Sequence, residues 1–131
     1  LNTNNVIIKK ENIYISFDVV NNLISKGNIF LPPKSKLIPE PFYYRLVFDD
    51  RYYPIDGKSF NLRINKNSNN DYESYISTLF AFMLEQRIVY ELSFNKNENA
   101  SSLYEKLKKN FNDYKMSPLT YILLMKHGII N

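Results

Sequence analysis

Apolar residues recur at every second position in two short segments near the start of the chain. Five apolar side chains recur at a spacing of two on either side of the polar stretch 9–12: Val6, Ile8, Ile13, Ile15 and Phe17. Successive side chains of a strand point to opposite faces of a sheet, so this alternation predicts two strands with one apolar face. The polar stretch between them predicts the turn of a β-hairpin.

A short helix and an extended connector are expected after the hairpin. Asp18 can cap a helix over 18–26, and Gly27 suits its C-terminal end. Residues 31–41 then hold four prolines, at positions 32, 33, 39 and 41. Because proline fixes φ and lacks an N–H donor, we expect an extended connector there, and neither a helix nor a central strand.

The middle of the chain predicts a three-stranded meander over 42–48, 51–55 and 58–65. Its second turn is Asp56-Gly57, a strong hairpin signal because glycine adopts positive φ at little cost. If both turns have two residues, Leu46 lies opposite Tyr53, and directly paired residues share a face. One face is then apolar, and the other carries a row of tyrosine, arginine and asparagine side chains: Tyr43, Arg45, Tyr52, Asn61 and Arg63.

Three helices and one further strand complete the predicted fold. Capping signals begin helices near residues 70, 102 and 117, and Gly128 ends the last one. Residues 88–94 alternate with a period of two and predict a strand. Runs of strands followed by runs of helices indicate an α+β fold. We expect an antiparallel sheet, made of the central meander plus additional strands, with three to four helices packed mainly on one face.

Length and composition favour one globular domain over 1–131, with the proline-rich connector inside it. The chain has 131 residues, of which 44% are hydrophobic and 23% charged, as in ordinary globular proteins. It lacks cysteine, which excludes disulfides, thiolate catalysis and cysteine-ligated metals. No apolar run approaches the roughly 18 residues of a membrane span. We therefore expect no membrane partner and a cytoplasmic location.

Candidate catalytic groups are few, and each has a simpler structural interpretation. Asp56 and Lys58 have the acid-x-lysine spacing of metal-dependent nucleases, with an acid at 40, 49 or 50 to complete the site. The same residues flank a predicted hairpin tip, where they would not converge. His127, the one histidine, lies in the last turn of a predicted helix, where the carbonyls favour a cation. We expect no catalytic residues, no cofactor and no metal.

The tyrosine–arginine face is the surface that the sequence singles out for binding. Tyrosine and arginine are enriched at binding hot spots, since they bury large areas and add directional hydrogen bonds. The face is either exposed or covered by other elements, and the sequence does not decide between the two. We expect a small non-enzymatic binding protein of the inhibitor, immunity or adaptor type, from an AT-rich microbe or its mobile elements, with a protein as its partner.

A nucleic-acid-binding module is the alternative function. It would use the same face together with a basic stretch on the third predicted helix and just after it: Lys106, Lys108, Lys109 and Lys115. The net charge of +4 is modest for a dedicated nucleic-acid protein. Charged runs on helices are most often solvated faces. A metal-dependent nuclease around Asp56 and Lys58 is the third hypothesis.

Overall fold

The chain combines an antiparallel sheet with helices, and the predicted α+β class is confirmed. The computed structural model describes residues 6–9, 12–28, 30–55, 60 and 71–131. The chain divides into two compact units, Leu1–Ile55 and Asp56–Asn131. A single domain over 1–131 stays a prediction, since two compact units are compatible with one cooperatively folding domain.

The first unit contains a four-stranded sheet in the order β1-β2-β4-β3, with every neighbouring pair antiparallel. Its strands are β1 (Val6–Lys9), β2 (Asn12–Ser16), β3 (Lys36–Glu40) and β4 (Tyr43–Val47). Strands β1 and β2 pair from Val6 opposite Ile15 to Lys9 opposite Asn12. The predicted N-terminal hairpin is therefore confirmed.

A helical segment follows β2 and covers the apolar face of the sheet. Helix α1 (Phe17–Val19) continues as one π-helical stretch, Val20–Ile24. Ser16, rather than the predicted Asp18, is the N-cap, because its extended backbone lets its hydroxyl accept the Val19 N–H. The core here joins Ile15, Val19 and Leu46, with further apolar side chains packed against it: Ile13, Val20, Leu23, Ile24, Leu31 and Leu37.

Strand β3 corrects the prediction that 31–41 is only a connector. Residues Lys36–Glu40 pair with β4 and form an edge of the sheet. A proline is tolerated in an edge strand, because one side of such a strand makes no ladder hydrogen bonds, and Pro39 occupies this setting. The expectation that no central strand lies here holds.

The predicted meander is wrong at its second strand. Strand β4 matches it, but 51–55 forms no strand, and Leu46 lies opposite Ile13 and Leu37 instead of Tyr53. Both edges of β4 are occupied by β2 and β3, so no edge is left for the 51–55 segment. Of the predicted third strand, 58–65, only position 60 belongs to the described residues.

The second unit contains three helices: α2 (Asp71–Ser93), α3 (Asn97–Asn110) and α4 (Pro118–Lys126). The strand predicted at 88–94 is wrong, because α2 continues through it. Ile88 and Leu92, both nearly fully buried, are four residues apart and therefore share a helix face. Helix α3 begins at Asn97, five residues before the predicted cap.

Helix α4 begins and ends where the sequence predicts. Ser117 accepts the Thr120 N–H through its side chain, Pro118 opens the helix, and Gly128 follows it at φ +74. Buried apolar side chains fill the interior of this unit: Phe80, Ala81, Met83, Leu84, Ile88, Leu92, Ala100, Leu103, Leu107, Met116 and Leu124. The Phe80 ring lies 5.7 Å from that of Phe60 and 5.8 Å from that of Phe111.

Candidate functional site

Arg45 lies on the face of the sheet opposite the one that α1 covers. Its Nε donates to Glu40 Oε2 at 2.8 Å and its Nη2 to Glu40 Oε1 at 3.3 Å. Two N–H groups of one guanidinium thus meet both oxygens of one carboxylate. The guanidinium carbon lies 5.5 Å from the ring centre of Tyr14 and 5.4 Å from that of Tyr53. Arg45 is held by side chains from β2, β3 and the 51–55 segment.

The strand register explains why these groups meet. Tyr14 on β2 and Ile38 on β3 both lie opposite Arg45, so all three share a face. Glu40 is two residues from Ile38 on the same strand, and therefore projects from that face as well. Burial by itself would lower the pKa of Arg45. The hydrogen bond and charge of Glu40, with Tyr14, outweigh it and raise that pKa above its ordinary value.

A second arginine stacks on the same tyrosine. The Arg51 guanidinium carbon lies 4.6 Å from the Tyr53 ring centre, and the Tyr53 hydroxyl donates to Asp49 Oδ2 at 2.8 Å. Arg51 Nε lies 3.6 Å from the same Asp49 oxygen. We refer to six side chains as the Tyr–Arg cluster: Tyr14, Glu40, Arg45, Asp49, Arg51 and Tyr53. The two arginines and two carboxylates of the cluster cancel in charge.

The predicted binding residues divide into three groups. Tyr43 and Arg45 share a face of β4, as the spacing predicts. Tyr43 is exposed at 38%, whereas the Arg45 side chain, beneath Tyr53, is 21% exposed. Tyr52 is half-buried and lies outside any strand. Asn61 and Arg63 lie outside the described residues. The face is thus covered around Arg45 and open at Tyr43.

The four predicted lysines lie at and after the end of α3. Lys106, Lys108 and Lys109 are in its last turns, and Lys115 is in the segment before α4. Lys108 Nζ donates to Glu105 Oε1 at 3.2 Å and lies 5.2 Å from the Tyr104 ring centre. Lys108, Lys109 and Lys115 are exposed, and Lys106 is half-buried.

The acids considered for a nuclease site are engaged in other contacts. Glu40 pairs with Arg45, Asp49 accepts from Tyr53, and Asp50 pairs with Lys36. Asp56 and Lys58 lie outside the described residues. Among the residues that are described, no three or more His, Cys, Asp or Glu side chains are grouped as a metal would require.

His127 has a structural role at the C-cap of α4. Its backbone N–H donates to the Leu123 carbonyl at 3.0 Å. On the side chain, Nδ1 and Asn97 Oδ1 lie 2.9 Å apart, so Nδ1–H donates to the amide oxygen. The bond connects the end of α4 with the first turn of α3.

A buried carboxylate on α2 was not predicted from the sequence. Glu85, 3% exposed, accepts the Tyr114 hydroxyl at 2.5 Å, the Thr120 hydroxyl at 2.6 Å and the Ser117 N–H at 2.9 Å. These donors flank and begin α4, so the carboxylate satisfies a backbone donor near the positive end of the helix dipole. The sequence carried a signal, because Glu85 shares one helix face with Ala81, Ile88 and Leu92.

Comparisons with known proteins give no relative. No family model, curated protein or solved structure matches the chain. Among the described helices, none is both long and apolar enough to cross a bilayer.

Proposed function

We propose that the chain is a non-enzymatic binding protein that engages a protein partner through the surface around Tyr43 and the Tyr–Arg cluster. The observation that carries this proposal is that the cluster side chains hold one another in place: Arg45 donates to Glu40 and lies over the rings of both Tyr14 and Tyr53. Rigid groups lose little conformational freedom on binding, so a preorganised aromatic surface favours association. Tyr43, beside this cluster, supplies an exposed aromatic ring.

The charge of the cluster favours a protein over a nucleic acid as the partner. A phosphate-binding arginine needs donors that face the ligand, but the Arg45 Nε and Nη2 donate to Glu40. Asp49 lies beside Arg51 in the same way. A neutral surface of tyrosine and matched ion pairs is typical of hot spots between proteins, where tyrosine and arginine are enriched.

A nucleic-acid-binding module remains the second candidate, carried by the lysines near the end of α3. Salt separates the two functions. A nucleic-acid complex loses affinity steeply as salt rises, because bound phosphates release counterions. A complex with a protein through a neutral aromatic surface is expected to depend on salt much less.

The test begins with capture of partners from the native host, with and without nuclease treatment, followed by measured affinity for the partner found. We expect Tyr43→Ala and Tyr52→Ala each to weaken binding by more than about 1 kcal/mol, roughly fivefold, with circular dichroism unchanged. Tyr72→Ala on α2, where the residue is 69% exposed, is the matched control and should bind like the parent. Parent-like binding by both test variants would refute this surface.

Arg45→Ala is a poor probe of binding, because it also alters the fold. The substitution would leave Glu40, 17% exposed, without its guanidinium partner, and would remove the cation between two rings. A loss of binding would then not distinguish a lost contact from a lost scaffold. Tyr43→Ala avoids this ambiguity, because the Tyr43 side chain is exposed.

A further inference from the structure

Helix α4 exposes apolar side chains to solvent on the side opposite the one that it buries. Thr120 and Leu124, at 2% and 0% exposure, form its buried side. Leu119, Ile122 and Met125 are exposed at 64%, 54% and 47%. A helix that is apolar all round is normally buried on every side. The solvent side of α4 departs from this rule.

The exposed side chains of α4 form one continuous stripe. Successive residues of a helix are rotated by about 100°, so Leu119, Ile122 and Met125 span an arc of about 120°. Lys126 falls within that arc, between Leu119 and Ile122 in angle. We call these four residues the α4 surface: Leu119, Ile122, Met125 and Lys126. It consists of three apolar groups with one ammonium group among them.

The α4 surface lies in the part of the sequence that carries the whole net charge. Residues 106–131 hold five lysines and one aspartate, a net charge of +4, which equals that of the entire chain. The preceding 105 residues hold 12 basic and 12 acidic side chains and are neutral. Lys115, just before α4, is exposed like Lys126. A partner that complements an apolar stripe in a basic segment has apolar side chains flanked by carboxylates.

We infer that the α4 surface binds an acidic amphipathic helix of another protein. Such a helix presents leucine-like side chains at spacings of three and four to the α4 stripe. Its flanking Glu or Asp residues are placed to pair with Lys115 and Lys126. Charge complementarity of this kind sets partner choice and orientation. The inference does not rest on the function proposed for the Tyr–Arg cluster, which belongs to the other unit.

Two other occupants fit the chemistry less well. A helix that lies on a membrane carries its lysines on the polar side, opposite the apolar residues that enter the bilayer. Lys126 instead lies within the apolar arc. A second copy of the chain would bring a basic segment against a basic segment, and like charges across an interface disfavour association.

The test uses two fluorescent helical peptides with the same leucine pattern, one with glutamates at its flanking positions and one with lysines there. Fluorescence anisotropy measures their affinity for the full chain. We expect the glutamate peptide to bind at least about tenfold more tightly than the lysine peptide. Leu119→Ser with Ile122→Ser should weaken binding of the glutamate peptide at least about tenfold. Lys115→Glu with Lys126→Glu should reverse the preference between the peptides.

The control is Tyr72→Ser, which removes an exposed aromatic group elsewhere in the unit and should bind like the parent. Equal affinity for the two peptides, no binding of either, or parent-like binding by the Leu119/Ile122 variant would overturn the inference. Binding to lipid would also overturn the inference. It would appear as sedimentation of the parent chain, but not of the Leu119/Ile122 variant, with phosphatidylserine vesicles. Concentration-dependent dimers lost in the same variant would assign the surface to a second copy.

Discussion

Replacement of Glu85 by alanine tests whether the buried carboxylate holds α4 in place. The substitution removes the acceptor of two hydroxyl groups and one backbone N–H. Hydrogen bonds to a charged group contribute about 1.5–3 kcal/mol each, and three bonds to one group are not additive. Taking the low end for each bond, we expect Glu85→Ala to lower the free energy of unfolding by about 3–5 kcal/mol. That is a large share of the roughly 5–15 kcal/mol of an ordinary domain.

An isosteric variant measures how much the charge of Glu85 contributes to stability. Glu85→Gln keeps the shape and one good acceptor, but turns an NH₂ group toward at least one donor. We expect it to cost about 1–3 kcal/mol, less than alanine, with Tyr114→Phe at about 1 kcal/mol. The assay is urea denaturation followed by far-UV circular dichroism, with hydrogen exchange at the Ser117 amide as a local readout. Exchange at that amide should accelerate in both Glu85 variants.

The matched control is Glu105→Ala, which removes an exposed carboxylate from α3. Glu105 pairs with Lys108 across a largely exposed surface, and its loss should change stability by less than about 1 kcal/mol. A Glu85→Ala variant as stable as this control would refute the stabilising role of the buried carboxylate. A gain in stability would show that the desolvation of the carboxylate outweighs its three bonds.

Two further predictions concern titration and the cluster. Burial, with the hydrogen bond from Tyr114 to Glu85, raises the pKa of Tyr114, and burial raises the pKa of Tyr44 to about 12, both from 10.0. The folded state then binds more protons than the unfolded state from about pH 10 upward, so stability should fall as pH rises from about 10 to about 12. The urea midpoint should fall less steeply with pH in Tyr114→Phe than in the parent. An unchanged slope would show that Tyr114 does not cause the pH dependence. Arg45→Lys should lose about 1–2 kcal/mol in the same urea assay, because an ammonium group matches neither the carboxylate fork nor the two rings. Lys36→Arg, in an exposed pair, is its control, and equal stability of the two variants would refute the role of the guanidinium.

Local signals predicted those elements whose partners are adjacent in the sequence. The β1–β2 hairpin pairs residues that are three to nine positions apart, and helix α4 carries its own cap, its opening proline and its terminal glycine. Neither element needs information from the rest of the chain to be recognised. The alternation at 88–94 led to a wrong strand prediction, because the spacing of Ile88 and Leu92 fits one face of a helix as well as one face of a strand.

The meander failed because the turn that forms a hairpin at β4 has no glycine. Strands β3 and β4 are joined through Pro41 and Phe42, and Phe42 adopts a φ of +63. Positive φ is uncommon for a bulky residue and is stabilised only by its surroundings, so no sequence rule pointed to this turn. The Asp-Gly at 56–57, by contrast, matched a common rule. That rule concerns the pairing of 51–55 with 58–65, whereas the wrong partner for β4 came from the turn predicted at 49–50.

The sequence predicted only part of the candidate site, because most partners of Arg45 are distant in the sequence. The spacing of Tyr43 and Arg45 on one strand is a local property, and it places them on one face. The partners of Arg45 come from three separate segments: Tyr14, Glu40 and Tyr53. Which of them meet is decided by the order β2-β4-β3. Once that order is known, the positions of Tyr14 and Glu40 beside Arg45 follow from the register, whereas Tyr53 comes from a segment outside the sheet.

The two proposed surfaces differ in how their charge is balanced, and this decides how salt should affect each. In the Tyr–Arg cluster each arginine lies against a carboxylate of the same chain, so a partner meets a neutral aromatic surface. The segment around α4 has five lysines and one aspartate, so a partner must supply the balancing carboxylates. At ordinary ionic strength, salt largely screens the attraction between exposed charges that are more than about 10 Å apart. Binding at the α4 surface should therefore weaken as salt rises, whereas binding at the Tyr–Arg cluster should persist. Measuring the affinity of each tyrosine or lysine variant at several salt concentrations then shows which of the two surfaces the substituted residue belongs to.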